Sequence, residues 1–119
     1  MVLLDFWATF CPPCVAELPN VERTYRKYHD QGFEVVGISL DDNKTTLADF
    51  LDKQKLPWPI LFDENPERRG WDGAAMTKEF FVTSIPATFL IDRKGRVVSI
   101  YSRGEQLERQ VKKLLAEKP

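Results

Sequence analysis

The feature that most constrains this chain is a pair of cysteines placed between a predicted strand and a predicted helix. Residues 1–7 form an apolar run interrupted only by Asp5, as expected of a strand that is covered on both faces. From residue 12 to about residue 30, apolar side chains recur near helical spacing, and Gly32 is placed to end the helix. The motif Cys11-Pro12-Pro13-Cys14 stands at the junction and holds both cysteines of the chain. The sequence therefore predicts a β–α unit with a dithiol at its turn.

Two cysteines separated by two residues are suited to thiol–disulfide exchange. One thiolate attacks a disulfide in a partner, and the second thiol releases the mixed intermediate. A structural zinc site needs four ligands, and beyond the two cysteines the chain offers only His29, so zinc within one chain is not expected. Two unrelated buried thiols are the other alternative, but the position after a strand favours redox chemistry.

Size and charge limit the classes of partner. A chain of 119 residues, 43% of them hydrophobic, suits one compact domain spanning residues 1–119. Seventeen basic and eighteen acidic residues leave a net charge of -1, which argues against nucleic acid or an anionic membrane as partner. No stretch approaches the roughly 18 apolar residues of a membrane span, and the N-terminus has no signal-peptide pattern. We expect a monomer without membrane contact.

The rest of the chain alternates strands and helices. Residues 33–40 predict a second buried strand, and residues 41–43 supply caps for a helix that carries Leu47, Phe50 and Leu51. A short strand at 60–62, a polar loop at 63–73, a brief helix at 76–81 and a hairpin of strands 87–91 and 96–101 follow. Ser102 and Glu105 form a capping box for a last helix. Together they predict an α/β mixed sheet of about five strands with helices on both faces and the first strand central.

Two segments resemble the signatures of the thioredoxin superfamily, namely residues 5–14 and residues 84–88. Within it, residues 14–19 and 89–97 look most like the TlpA/ResA branch of extracytoplasmic thiol-disulfide oxidoreductases. The resemblance implies a thioredoxin fold and a periplasmic or other extracytoplasmic location. Proteins of this family normally carry a β-hairpin, and often a signal or anchor, ahead of the first strand, so we expect a trimmed domain that lacks them.

The two cysteines have distinct predicted roles. A free thiol has a pKa of about 8.5, so an attacking cysteine needs its thiolate stabilised. Cys11 stands where the partial positive charge and free N–H groups of the first helix gather. Pro12 and Pro13 have no N–H, so the nearest donor is Cys14 or a later residue. We therefore expect Cys11 to be the exposed nucleophile and Cys14 the more buried resolving thiol.

Two carboxyl groups are candidates for proton handling. Burying an unpaired carboxylate is costly, so Asp5 should be protonated or have a polar neighbour; the resemblance implies that it takes the proton of Cys14. Glu17 lies three residues after Cys14, on the same face of the helix, and ResA-like proteins carry a functional glutamate there. Taken alone, Asp5 could be a structural acid and Glu17 a solvated residue near a helix start.

The resemblance also implies a substrate surface. Pro86 matches the proline that superfamily members hold in cis, with the backbone of Ile85 binding an extended substrate segment. Phe10 and Pro12 complete the predicted surface, although the family usually has tryptophan where Phe10 stands, so the indole N–H is missing. In isolation, Ile85-Pro86 would be an ordinary strand start. Trp71 either faces a partner or folds back onto the domain.

The leading hypothesis is an enzyme, a protein-disulfide reductase with catalytic Cys11, Cys14, Asp5 and Glu17. It requires no cofactor and no metal, and its partners would be a disulfide-containing protein substrate and an upstream dithiol reductant. The family implies apocytochrome c and copper-site assembly proteins as substrates. The alternatives are a tryparedoxin-like electron donor to a peroxidase and a non-enzymatic module that binds Cu(I) through its thiolates. A peroxiredoxin is less favoured, because that family has threonine where Ala8 stands.

Overall fold

The structure is a computed structural model that describes residues 1–64, 82, 84–100 and 102–117. Its strands are β1 (Val2–Trp7), β2 (Glu34–Ser39), β3 (Ile60–Leu61), β4 (Ala87–Ile91) and β5 (Val97–Ser99). Its α-helices are α1 (Pro12–Tyr28), α2 (Lys44–Lys53) and α3 (Glu105–Ala116), with a 3-10 turn at His29–Gln31. Trp71, most of the predicted loop at 63–73 and the predicted helix at 76–81 lie outside the described residues.

The five strands form one mixed sheet in the order β3-β2-β1-β4-β5. The pairs β1–β2 and β2–β3 are parallel, and the pairs β1–β4 and β4–β5 are antiparallel. The long apolar run of β1 is central, as predicted, because such a strand needs cover on both faces. Trp7 pairs with Ser39 at the ends of β1 and β2, so the segments that follow these two strands leave the sheet at one edge.

One face of the sheet carries the main core. Leu3 and Trp7 point to the same side because side chains alternate along a strand, and they pack in one cluster with residues of all three helices. Its buried helical members include Leu18 and Val21 of α1, Leu47 of α2, and Leu107 and Val111 of α3. The apolar residues at helical spacing therefore form the buried faces of the helices, as the sequence predicts.

The opposite face of the sheet has a second, smaller cluster. It is formed by Phe6, Ile38, Leu40 and Val82, with Phe89 packed against it and in edge-to-face contact with Phe6. The described helices contribute their buried residues to the first cluster. Helical cover of this second face therefore stays a prediction, since it depends on residues 76–81.

A glycine in β2 allows two tryptophans to approach the sheet closely. A Cβ on Gly37 would lie 2.7 Å from Cδ1 of Ile60 and 3.2 Å from Nε1 of Trp7, distances that real Cβ atoms do not tolerate without a shift of the neighbours. Trp58 also approaches this point, and both tryptophans are buried. Trp7 and Trp58 therefore belong to the core of the domain.

Helix ends follow the sequence signals in part. Asn43 alone of the predicted residues 41–43 caps α2, with its Oδ1 accepting from the N–H of Thr46 at 3.0 Å. Gly32 has φ of 103° and follows the 3-10 turn that extends α1. Gly95 has φ of 82° in the turn between β4 and β5, as that hairpin requires.

The predicted capping box at Ser102 is wrong. The N-cap of α3 is Gly104, and the hydroxyl of Ser102 instead donates to Oε1 of Gln110 at 2.7 Å. Gly104 has φ of 61° and ψ of -148°, a conformation open to glycine and strained for other residues. The N–H of Gly104 is bound by a side chain of α1, described below.

None of the helices in the described ranges combines the length and the hydropathy needed to cross a bilayer.

Candidate active site

The two cysteines form a disulfide at the point where β1 passes into α1. Cys11 is the N-cap of α1 in extended conformation, and its Cα lies 5.3 Å from the Cα of Cys14. The N–H of Cys14 donates to Sγ of Cys11 at 3.3 Å. Since Pro12 and Pro13 occupy the first two helical positions without an N–H, this is the first available donor, as predicted.

The exposure of the disulfide differs from the prediction. Cys11 is 8% exposed and Cys14 is 3% exposed in the oxidised structure. The prediction of an exposed Cys11 is thus wrong in degree, because its sulfur is bonded to Cys14 and both residues belong to the main core cluster. The order is as expected, since Cys11 is the more accessible of the two.

Asp5 is a buried acid in the middle of β1. It pairs with Gly37 on one side and with Thr88 on the other, and alternation places its side chain on the face that carries Leu3 and Trp7. Burial away from water and, as a smaller cause, the nearby charge of Glu17 together raise the pKa of Asp5 to about 7. A group with this pKa gains and loses a proton readily near neutral pH.

Glu17 is half-buried on α1 and is bound to the start of α3. Its Oε1 accepts from the N–H of Gly104 at 2.6 Å and from Nδ2 of Asn20 at 2.8 Å. Asn20 also donates to the carbonyl of Gly104 at 3.0 Å, so both backbone groups of Gly104 are held by α1. The structure brings Glu17 close enough to Asp5 for their charges to interact. Its proton exchange with Cys14 stays a prediction.

The predicted substrate surface is assembled around the disulfide from distant parts of the chain. Phe10 is 62% exposed directly before Cys11, and Pro12 is exposed directly after it. The Ile85–Pro86 peptide bond is cis, and it precedes β4, whose Ala87 pairs with Phe6 near the end of β1. Ile85 packs against the cluster that contains both cysteines. Substrate binding by these residues stays a prediction.

One buried polar residue near the site was missed by sequence reasoning. Asp41, predicted as a helix cap, instead binds the turn ahead of Cys11: it accepts from the N–H of Thr9 at 3.1 Å and from the hydroxyl of Thr9 at 2.6 Å. The sequence could have indicated this contact, because Asp41 follows β2 as Thr9 follows β1, and the carboxyl ends of neighbouring parallel strands meet at one edge of a sheet.

Comparison with known families matches residues 1–116 to the family described as Redoxin. The chain belongs to the Redoxin family. This membership fits the observed sheet order, and it fits a disulfide placed where β1 meets α1.

Curated relatives of this Redoxin chain include Thiol-disulfide oxidoreductase ResA of Halalkalibacterium halodurans. The identity is 30% over 116 residues, covering 96% of this chain and 61% of that protein. A second ResA, from Bacillus thuringiensis subsp. konkukian, is 31% identical over 114 residues and is covered to 61%. The chain thus spans about three fifths of the length of these relatives.

Solved structures give the same fold. The thioredoxin domain of a thiol-disulfide oxidoreductase from Bacteroides vulgatus superposes with a TM-score of 0.84 at 26% identity, covering 96% of this chain and 78% of that one. The predicted thioredoxin fold is therefore confirmed.

Proposed function

We propose that this chain is a thiol-disulfide oxidoreductase that reduces disulfides in proteins. The observation that carries the proposal is the Cys11–Cys14 disulfide at the start of α1, with Sγ of Cys11 accepting the first free N–H of the helix. A thiolate at this position gains from that hydrogen bond and from the partial positive charge of the helix end. The names of the ResA relatives and the shared fold support the same chemistry.

The reaction has two exchange steps. The thiolate of reduced Cys11 attacks one sulfur of the substrate disulfide, forming a mixed disulfide and releasing the other substrate sulfur as a thiolate. The thiolate of Cys14 then attacks Sγ of Cys11, forming the Cys11–Cys14 disulfide and releasing the second substrate thiolate. The substrate gains two electrons and two protons. A dithiol reductant upstream supplies them when it restores the reduced pair, so no cofactor is required.

Asp5 is the proposed proton acceptor for Cys14. Cys14 must lose its proton before it attacks Cys11, and a carboxyl group with a pKa near neutrality accepts one efficiently. Glu17 assists by raising the pKa of Asp5 through its charge. Its half-buried position suits exchange of that proton with solvent.

The exposed side chains beside the disulfide form the proposed binding surface. Phe10 and Pro12 flank Cys11, and Ile85, joined in cis to Pro86 just before β4, packs against the cluster that contains both cysteines. An extended substrate segment would bind along the backbone at Ile85, next to the sulfur that attacks.

The resemblance to the TlpA/ResA branch suggests a setting for this chemistry. We propose an extracytoplasmic location in the cell envelope, with apocytochrome c or copper-site assembly proteins as the substrate class, in line with the TlpA/ResA branch. A tryparedoxin-like donor would use the same disulfide with a peroxidase as partner. Rapid reduction of a peroxidase but not of apocytochrome c peptides would favour that alternative.

The test is disulfide reduction by purified protein with each cysteine replaced by serine. Reduction of insulin in the presence of dithiothreitol should fall with Cys11→Ser to the rate of dithiothreitol alone, and reduced Cys14→Ser from which dithiothreitol has been removed should accumulate a mixed disulfide with the substrate because release is lost. Asp49→Asn, on the exposed side of α2, is the matched control and should retain full activity. Retained activity in Cys11→Ser would overturn the assignment, and tight Cu(I) binding by a wild-type protein without exchange would favour the metal-binding alternative.

A further inference from the structure

A buried carboxylate holds the turn that leads into the candidate active site. Asp41 is 4% exposed, and it accepts hydrogen bonds from the N–H of Thr9 at 3.1 Å, the hydroxyl of Thr9 at 2.6 Å and the hydroxyl of Ser39 at 2.7 Å. Ser39 in turn accepts from the N–H of Asp41 at 3.1 Å. We call this set of bonds between Asp41, Thr9 and Ser39 the Asp41 clamp.

The Asp41 clamp acts on a tight turn between β1 and α1. The N–H of Cys11 donates to the carbonyl of Ala8 at 3.1 Å, which makes Thr9 and Phe10 the two central residues of the turn. Thr9 therefore lies two residues before Cys11, which is the N-cap of α1, and directly before the exposed Phe10. The N–H of Leu40 donates to the carbonyl of Trp7 at 2.8 Å. The segment that carries Asp41 therefore lies beside the start of the turn at Ala8.

The Asp41 clamp joins one carboxylate to three uncharged donors. Bonds to an ionised acceptor are shorter and stronger than neutral ones. Both the N–H and the hydroxyl of Thr9 donate to the side chain of Asp41, so a shift of the turn would leave the buried carboxylate of Asp41 without these two donors. The main chain of Thr9 is thereby fixed relative to β2.

We propose that Asp41 is a positioning residue for thiol–disulfide exchange, acting through Thr9. The clamp keeps the turn closed so that Sγ of Cys11 stays at the N-terminus of α1, within reach of the N–H of Cys14. Without it, Sγ samples positions where this hydrogen bond and the helix end no longer stabilise the thiolate. The role in exchange rests on the proposed function, whereas the effect on the thiolate does not.

The experiment measures alkylation of Cys11 by iodoacetamide from pH 5 to pH 9, in a Cys14→Ser background that leaves one thiol. Thr9→Val removes the hydroxyl but keeps the size of the side chain and the charge of Asp41. We expect alkylation at pH 7 to slow by about threefold to tenfold, the effect of one hydrogen bond of ordinary net strength. The midpoint of the profile should move to higher pH, and the rate at high pH should stay the same.

Two variants separate positioning from general destabilisation. Thr9→Ser restores a hydroxyl and should return the profile to that of the parent protein. Thr24→Val deletes a buried hydroxyl of α1, which donates to the carbonyl of Asn20 at 3.1 Å, and should leave Cys11 unchanged while lowering the melting temperature. An unchanged or faster reaction in Thr9→Val, or equal slowing in Thr24→Val, would overturn the proposal.

A second pair of variants tests Asp41 itself. Asp41→Asn, compared with the exposed Asp49→Asn, should slow attack on a peptide disulfide, since the turn that places Cys11 at the start of α1 is no longer held by a carboxylate. If the wild-type protein attacks no peptide disulfide, the proposed function fails. The alkylation profiles then still decide whether the clamp positions Cys11.

Discussion

The buried acid Asp5 makes the stability of the oxidised protein depend on pH. Burial and the charge of Glu17 raise the pKa of Asp5 to about 7 in the folded state, whereas an aspartate in an unfolded chain titrates near about 3.9. One pKa unit corresponds to about 1.4 kcal/mol, so ionised Asp5 costs the folded state about 4 kcal/mol. Cys11 and Cys14 do not titrate while they are bonded, so they do not obscure the effect.

The sign follows from proton linkage. Below about pH 4, Asp5 is protonated in both states and contributes no penalty. Between about pH 4 and pH 7 the unfolded chain releases the proton while the folded protein retains it, so stability falls as pH rises. Above pH 7 both states are ionised and the full penalty is present. Asp5→Asn, which is neutral at every pH, should therefore gain about 4 kcal/mol over the wild type at pH 8 and almost nothing at pH 4.

Urea unfolding followed by far-ultraviolet circular dichroism at pH 4, 5, 6, 7 and 8 measures this difference. Asp49→Asn is the control, because it makes the same chemical change at an exposed position of α2 and its stability should follow that of the wild type at each pH. If the wild-type and Asp5→Asn curves run parallel from pH 4 to pH 8, Asp5 is not the buried acid described above.

Three further substitutions test other contacts. Glu17→Gln keeps an acceptor for the N–H of Gly104 but removes a charge that raises the pKa of Asp5, so the loss of stability with rising pH should shrink in urea titrations. Gly104→Ala places a Cβ on a backbone with φ of 61° and should lower the free energy of unfolding by about 1–3 kcal/mol, whereas the control Gln54→Ala at the end of α2 should change stability little. Gly37→Ala would put a Cβ 2.7 Å from Ile60 and should lower stability by about 1–3 kcal/mol, and an unchanged melting temperature would contradict that packing.

The sequence predicted the elements whose signals are local. The apolar run of β1, the helical stripe of α1 and the glycine in the β4–β5 turn each gave the correct element, because burial and positive φ leave direct marks on residue choice. Asp5 was recognised because a charged residue in a buried strand is costly; the structure buries its side chain, and that burial raises its pKa.

The sequence could not predict contacts between distant segments. Ser102 and Glu105 have the spacing of a capping box, but α3 starts at Gly104, whose N–H binds Glu17 across 87 positions. Asp41 stands among residues that suit helix caps, yet its carboxylate binds Thr9 across 32 positions. In both cases the local structure depends on a hydrogen bond to a distant segment, which no local motif records.

Because the disulfide spans only three positions, the unfolding of the oxidised and the reduced protein can be compared in one thermodynamic cycle. Cys11 and Cys14 are three positions apart, so their bond joins no remote segments and its loop-closure effect on the denatured chain is only about 2 kcal/mol. The difference in unfolding free energy between the oxidised and reduced forms therefore equals the preference of the fold for one redox state, relative to the same four residues in a flexible chain. Two denaturation curves, one with and one without reductant, would show whether folding turns the pair into an electron donor or an electron acceptor.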